Sequence, residues 1–228
     1  MDWQSMRAAA RRRSAARYDT AEALAYGQQQ ALGWLTPAET AAYLADLQSL
    51  CALPSTGTVL DVGAGTGVMC TLLARFPGLE LTALEPSTAM MDVLSARPEL
   101  ARVNLINGFC DEPESRGQVP AAHFDLIVAR QVTNTLFDPL QAFRNWLHWL
   151  KPGGAVVVID GLYGREGWRD GWAEEIDVLP LSALQTVATV PYLLEAAGFT
   201  VERVEWMAAV NALPSTRTQR YAVLAHRR

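Results

Sequence analysis

Two features of this chain combine residue types and spacing that could do chemistry. In Val59-Leu60-Asp61-Val62-Gly63-Ala64-Gly65-Thr66-Gly67, a short apolar run ends in three glycines placed two apart, and a helix-compatible stretch follows. Glycine lets the backbone turn sharply and lets a ligand approach the main chain. The N–H groups that open a following helix point at the same place. About twenty residues on, Glu85 closes the next apolar run in Leu84-Glu85-Pro86-Ser87. A carboxylate at the carboxyl end of a strand can accept both hydroxyls of a ribose. Singly, the glycines are a turn and Glu85 a surface or capping acid; together they point to a nucleoside-bearing ligand.

The elements that must position them follow from pattern. Residues 3–17 and 20–33 are rich in Ala, Arg, Gln and Leu and lack proline, which predicts two helices. Thr36-Pro37-Ala38-Glu39 reads as a helix start with a cap, a first-turn proline and a capping-box acid, the helix running to about Cys51. Strands are expected at 58–61, 79–84, 103–106, 124–129 and 155–160. Helices are expected between them at 67–76, from Ser87 to about Ala96, and from Asp138-Pro139 to Leu150, with Phe143, Leu147 and Leu150 on one face. Lys151-Pro152-Gly153-Gly154 is expected to stop that last helix. A helix over 190–197 and two strands over 199–205 and 220–225 close the chain. Apolar strands alternating with helices predict a parallel sheet covered on both faces.

Four short segments, in order, make the chain resemble the class I S-adenosylmethionine-dependent methyltransferases. They are Asp61-Val-Gly-Ala-Gly-Thr-Gly67, Leu84-Glu85-Pro86-Ser87, Phe124-Asp125-Leu126-Ile127-Val128 and Leu150-Lys-Pro-Gly-Gly154, and the likeness covers roughly residues 57–160. It implies an α/β, Rossmann-like, seven-stranded, mostly parallel sheet with an antiparallel last strand, helices on both faces and a helical N-terminal lid. Residues 1–54 would form the lid and 55–228 the cofactor-binding domain, with a cap-like insertion near 161–180. The implied cofactor is S-adenosylmethionine. Asp61 would hold its methionine end through water, Gly63 and Gly65 would cradle it, Glu85 would take the ribose, and Pro86 and Met90 would flank the adenine. Gly108, Phe109, Cys110, Ala129 and Arg130 would complete the contacts. The family often carries Gly-Asp-Ala after the third strand; here Gly108-Phe109-Cys110-Asp111 stands instead. Phe109 is therefore expected near the adenine, with backbone groups or Asp111 supplying hydrogen bonds.

For the reaction, the stretch after Ala129 would line the floor beside the methyl group, making Asn134 the first candidate for a polar group there, although a turn or cap residue is the plainer reading. Tyr18 resembles the tyrosine that many such enzymes lay over the methionine carboxylate; a packed tyrosine is the alternative. Tyr163, Trp168 and Trp172 could add an aromatic face for a sulfonium or simply pack a lid. Arg11, Arg12, Arg13 and Arg17 could reach a carboxylate, but a solvated helix face is the plainer reading. The leading expectation is methyl transfer to a small molecule by in-line displacement. The same scaffold also allows the cofactor's own α-amino group to attack its Cγ, giving azetidine-2-carboxylate and methylthioadenosine.

Composition sets the outer bounds. With 19 Lys and Arg against 24 Asp and Glu, the net charge of −5 disfavours a nucleic acid partner. Cys51, Cys70 and Cys110 lack paired spacing, and His123, His148 and His226 stand singly, so free thiols in a reducing cytoplasm and no metal site are expected. The longest apolar stretch is far short of the roughly 20 residues a membrane span needs. The Ala- and Arg-rich start superficially matches a transit peptide but is read as a helix of the mature protein. A dinucleotide fold would place a third glycine where Val68 stands. A non-catalytic cofactor-binding protein is a further class of reading.

Overall fold

The computed structural model describes residues 2–18, 20–51, 53–167 and 175–228. In chain order the elements are α1 (Trp3–Arg17), α2 (Thr20–Gly27), α3 (Pro37–Leu50), β1 (Thr56–Val62), α4 (Val68–Leu73), β2 (Gly78–Glu85), α5 (Thr88–Ser95), β3 (Asn104–Asn107) and α6 (Ser115–Gln118). There follow β4 (Phe124–Arg130), α7 (Pro139–Trp149), β5 (Leu150–Gly161), α8 (Thr189–Ala197), β6 (Phe199–Trp206), α9 (Ala208–Asn211) and β7 (Arg220–Arg227).

Seven strands form one sheet in the order β3-β2-β1-β4-β5-β7-β6. Pairing is parallel from β3 through β5, and β7 runs antiparallel to both β5 and β6. This is the expected Rossmann-like arrangement with its antiparallel last strand. Side-chain period two explains why both faces are dry. Leu60, Val62, Ile127, Ala129, Val156 and Val158 enter one core layer. Their neighbours Val59, Leu126, Val128, Val157 and Ile159 enter the other. Each such Val, Leu or Ile side chain, fully buried, contributes about 1.5–3 kcal/mol.

Local chemistry sets the element ends. The capping box at α3 forms as expected, with Glu39 N donating to Thr36 Oγ1 (3.1 Å) and Thr36 N donating to Glu39 Oε2 (2.8 Å). Ser87 caps α5 by accepting from Met90 N at 3.2 Å, and Asp138 caps α7 by accepting from Gln141 N at 3.0 Å. On α7 the buried face is Phe143, Trp146 and Trp149, with Leu147 only partly buried. The second expected helix stops at Gly27, six residues early, because residues 28–33 turn back through a Gln30–Trp34 bridge. Lys151-Pro-Gly-Gly154 lies within β5 itself, its pairing with β4 shifting register between Phe124 and Leu126. Helix α9, unread in the sequence, starts where Ala209 N and Val210 N donate to the Asp46 carboxylate at 3.0 and 2.9 Å.

The helices expected to form a common lid divide. Helix α3 packs Ala42, Tyr43, Leu47 and Leu50 into the second core layer, beneath the sheet. Helices α1 and α2 instead lie by the carboxyl ends of β1, β2 and β4, where Ser14, Tyr18 and Tyr26 face a cleft.

Candidate active site

The chain enters the sheet at β1, builds β2 and β3 to one side, and then crosses to β4 on the other. The crevice at such a switch point, beyond the strand ends, is where open α/β sheets hold ligands. A cleft of about 910 Å³, counted to its open mouth, lies there.

Its floor is the glycine turn. Gly63, Gly65 and Gly67 all take positive φ, at 64°, 55° and 89°. A Cβ at Gly63 would stand 2.5 Å from Val132 Cγ2, and one at Gly67 2.7 Å from Leu100 Cδ1, so both are held tight by packing. Gly65 differs: a Cβ there meets nothing within 4 Å and would project into open space. It is the glycine against which a ligand can lie. Glu85 stands over it at the end of β2. Its Oε2 accepts from Gly65 N and its Oε1 from Ser87 N, both at 2.9 Å. Burial raises the Glu85 carboxyl above the ordinary glutamate value, opposed by those two amides.

Of the residues singled out from sequence, Tyr18, Gly63, Gly65, Glu85, Pro86, Met90, Gly108, Phe109 and Cys110 line this cleft. Asp61, Ala129, Arg130 and Asn134 are not among its lining residues. Asp61 is buried beneath the turn, accepting from Cys70 Sγ at 3.2 Å, and burial lifts its pKa to about 7. Ala129 is buried at the end of β4. Arg130 turns toward α3, donating to Tyr43 Oη at 3.2 Å and to the Ala31 carbonyl. Asn134 sits in a short 3-10 turn, Thr133–Thr135, its Oδ1 buried without a hydrogen-bond partner. Trp168 and Trp172 lie outside the described residues. Tyr163 accepts a hydrogen bond from Arg220 instead of facing the cleft.

The arginine-rich face of α1 corrects the plainer sequence reading: Arg11, Arg13 and Arg17 are engaged with carboxylates. Arg11 clasps Asp111 through Nη1 (2.6 Å) and Nη2 (3.2 Å), its guanidinium lying 5.1 Å from the Phe109 ring centre and 4.9 Å from that of Phe137. Asp111 also accepts from Phe137 N and Asp138 N, so its carboxylate is taken up at the cleft wall. Arg7 donates to the Phe137 carbonyl at 2.7 Å. Arg13 and Arg17 both pair with the buried Glu175. Sequence reasoning missed this because nothing in the linear order relates residue 11 to residue 111. It also missed Tyr26 and Phe137, which line the cleft; Gln131, within the stretch expected to form the floor, lines it too, although Asn134 was singled out there. Gln131 has φ 57°, rare for a side-chain-bearing residue.

Fold and cleft together define a Rossmann-like protein built to hold a nucleoside-bearing ligand at the end of β1 and β2. The family model described as "Methyltransferase domain" matches residues 38–204, and the chain belongs to that family. A ubiquinone biosynthesis O-methyltransferase of Coxiella burnetii is 32% identical over 98 residues, 43% of this chain and 41% of that protein. A trans-aconitate 2-methyltransferase of an Azoarcus species is 32% identical over 114 residues, 50% and 42% respectively. The matched segments thus span about two-fifths of these relatives. Among solved structures, an S-adenosylmethionine-dependent methyltransferase from Aquifex aeolicus superimposes with TM-score 0.65 at 19% identity, covering 92% of this chain and all of that one. The [4+2]-cyclase SpnF superimposes with TM-score 0.60 at 22% identity, covering 82% and 80%.

Proposed function

We propose that the chain is an S-adenosylmethionine-dependent methyltransferase acting on a small molecule. The observation that carries this is the pairing of Gly65 with Glu85: an open cradle with a buried carboxylate on its rim. The donor set fits the group. Glu85 would exchange amide partners for ribose hydroxyls, Met90 and Pro86 offer apolar faces for a purine, and Phe109 with Arg11 closes the far wall. Tyr18, packed edge-on to Tyr26 with ring centres 5.8 Å apart, would cover the methionine end. Asp61 would act from beneath the turn through water.

When bound, the cofactor supplies an activated methyl group that passes to the acceptor's nucleophilic atom. The protein's part is then to align donor and acceptor and exclude water, which can supply much of the acceleration without a general base. Helices α1 and α2 would do the excluding. Asn134, one residue from the cleft-lining Thr135, would hold a polar group near the transfer. Three free cysteines accord with a reducing, cytoplasmic setting. Among the described residues no helix is long and apolar enough to cross a membrane.

The test is product analysis. Purified protein incubated with S-adenosylmethionine and a panel of small acceptors should yield S-adenosylhomocysteine only when the right acceptor is present. Methylthioadenosine formed from the cofactor alone, with a cyclic amino acid, would overturn methyl transfer in favour of intramolecular cyclisation.

A further inference from the structure

Beside the glycine turn, two guanidinium groups stand behind one wall of the cleft without lining it themselves. Gln131, one of the cleft-lining residues, has its amide oxygen against both of them. Oriented to satisfy both neighbours, that oxygen accepts from Arg130 Nη2 at 3.1 Å and from Arg220 Nη2 at 3.2 Å. Both arginines are partly buried. Their remaining direct hydrogen-bond partners are neutral, Arg130 donating to Tyr43 Oη and the Ala31 carbonyl and Arg220 to Tyr163 Oη, while the buried carboxylates of Asp61 and Asp160 act on Arg130 and Arg220 only through space. Among the described residues neither forms an ion pair with a carboxylate. Asp160, at the same end of β5, has Oδ2 accepting from Thr133 N and Oγ1 and Oδ1 accepting from Gly161 N.

Partly buried cations are costly unless something anionic compensates them. The amide adds direction to this. With its oxygen saturated by two charged donors, Gln131 has only N–H groups left to offer a ligand, and charge-assisted partners strengthen them. We propose that Arg130, Gln131 and Arg220 form the subsite for a carboxylate of the methyl acceptor, so that the acceptor is an organic acid. This rests on the methyltransferase reading given above. It makes Gln131 the residue that meets the substrate and the two arginines its positioning residues.

The backbone supports the assignment. Gln131 is held at its positive φ by Gln131 N donating to the Ile159 carbonyl at 2.8 Å. Strained conformations of this kind persist where surrounding structure fixes them, and they cluster at binding sites.

Calorimetry on protein saturated with S-adenosylhomocysteine tests this, using succinate and benzoate against their neutral amides, succinamide and benzamide. At least one acid should bind tenfold or more tightly than its amide. Gln131→Glu places a carboxylate between the two arginines. It should raise the melting temperature while weakening acid binding at least tenfold. Arg220→Met should also weaken it, and Arg220→Lys should restore part of the loss. Acids binding no better than amides, or acid binding unchanged in Gln131→Glu, would overturn the proposal. A tenfold loss of S-adenosylhomocysteine affinity in Gln131→Glu, with methylthioadenosine affinity intact, would assign the subsite to the cofactor's own carboxylate and also overturn it. Methylthioadenosine production from the cofactor alone would instead remove the methyltransferase reading, whatever the acids do.

Discussion

Arg11 and Asp111, one hundred residues apart, form a two-pronged ion pair at 2.6 and 3.2 Å between the first helix and the cleft wall. Only 3% of the Asp111 side chain is exposed, so the pair is shielded on the acid's side. Removing the arginine would leave Asp111 with two backbone amides and no counter-charge. Arg11→Met should therefore destabilise the protein by about 2 kcal/mol, below the roughly 3–5 kcal/mol for breaking a fully buried pair because Arg11 is partly solvated. Urea unfolding measures this, and faster proteolysis within residues 3–17 would show that α1 has lost its hold. Unchanged stability and proteolysis would mean the clasp is idle.

Glu85→Gln keeps the shape of the side chain but removes its charge. Cofactor affinity should fall by about 1–3 kcal/mol, the usual worth of charge-assisted hydrogen bonds. The wild type carries a matching pH signature. Because burial raises the Glu85 carboxyl, affinity should decline on acidification before an ordinary glutamate would protonate. In Glu85→Gln that decline should be absent. Titration calorimetry at a series of pH values from 7 downward reads both effects.

Asp61 makes a prediction about stability. Its folded-state pKa of about 7 lies above the reference value of 3.8, chiefly through burial. The folded protein therefore binds the proton more tightly than the unfolded chain. The stabilisation is complete below the unfolded pKa and is lost as pH rises through about 7. Asp61→Asn carries no such loss. Its melting temperature should gain on the wild type between pH 5 and pH 8, and a constant gap across that range would contradict the assignment.

Gly65 and Gly67 should respond oppositely to alanine. Gly67→Ala drives a methyl group into Leu100 and Leu94, at 2.7 and 2.9 Å, and should cost stability. Gly65→Ala enters open space, so its structural cost is the backbone strain of φ 55° alone, about 1 kcal/mol. Its main effect should be on ligand binding, which should fall at least tenfold by calorimetry while circular dichroism is unchanged.

Much of the sheet was legible because strand burial has a short period. Val156 to Ile159 is apolar on both faces and reads as a buried strand without any knowledge of its partners. The cradle was legible for the same reason: Gly63, Gly65, Glu85 and Ser87 are local signals within two strand ends. What escaped was anything made by closure across the fold. Arg130 closes β4, yet its side chain leaves toward Tyr43, a direction set by α3 and not by its neighbours. Phe137 reaches the cleft through loop geometry, and although Gln131 lies in a stretch expected there, its positive φ leaves no mark in composition. The split of the N-terminal helices depends on which apolar faces find the sheet, which helical composition alone does not specify.

The left-handed backbone at Gln131 limits how this wall of the cleft can change. Valine, isoleucine and threonine fit poorly at a φ of 57°, whatever the ligand would prefer. Asparagine and glycine tolerate it. A lineage altering its ligand at this wall would therefore have few single-step replacements at position 131 itself. It would more readily vary the side chains around it, at 130, 163 and 220, and keep the kink as a fixed hinge of inheritance.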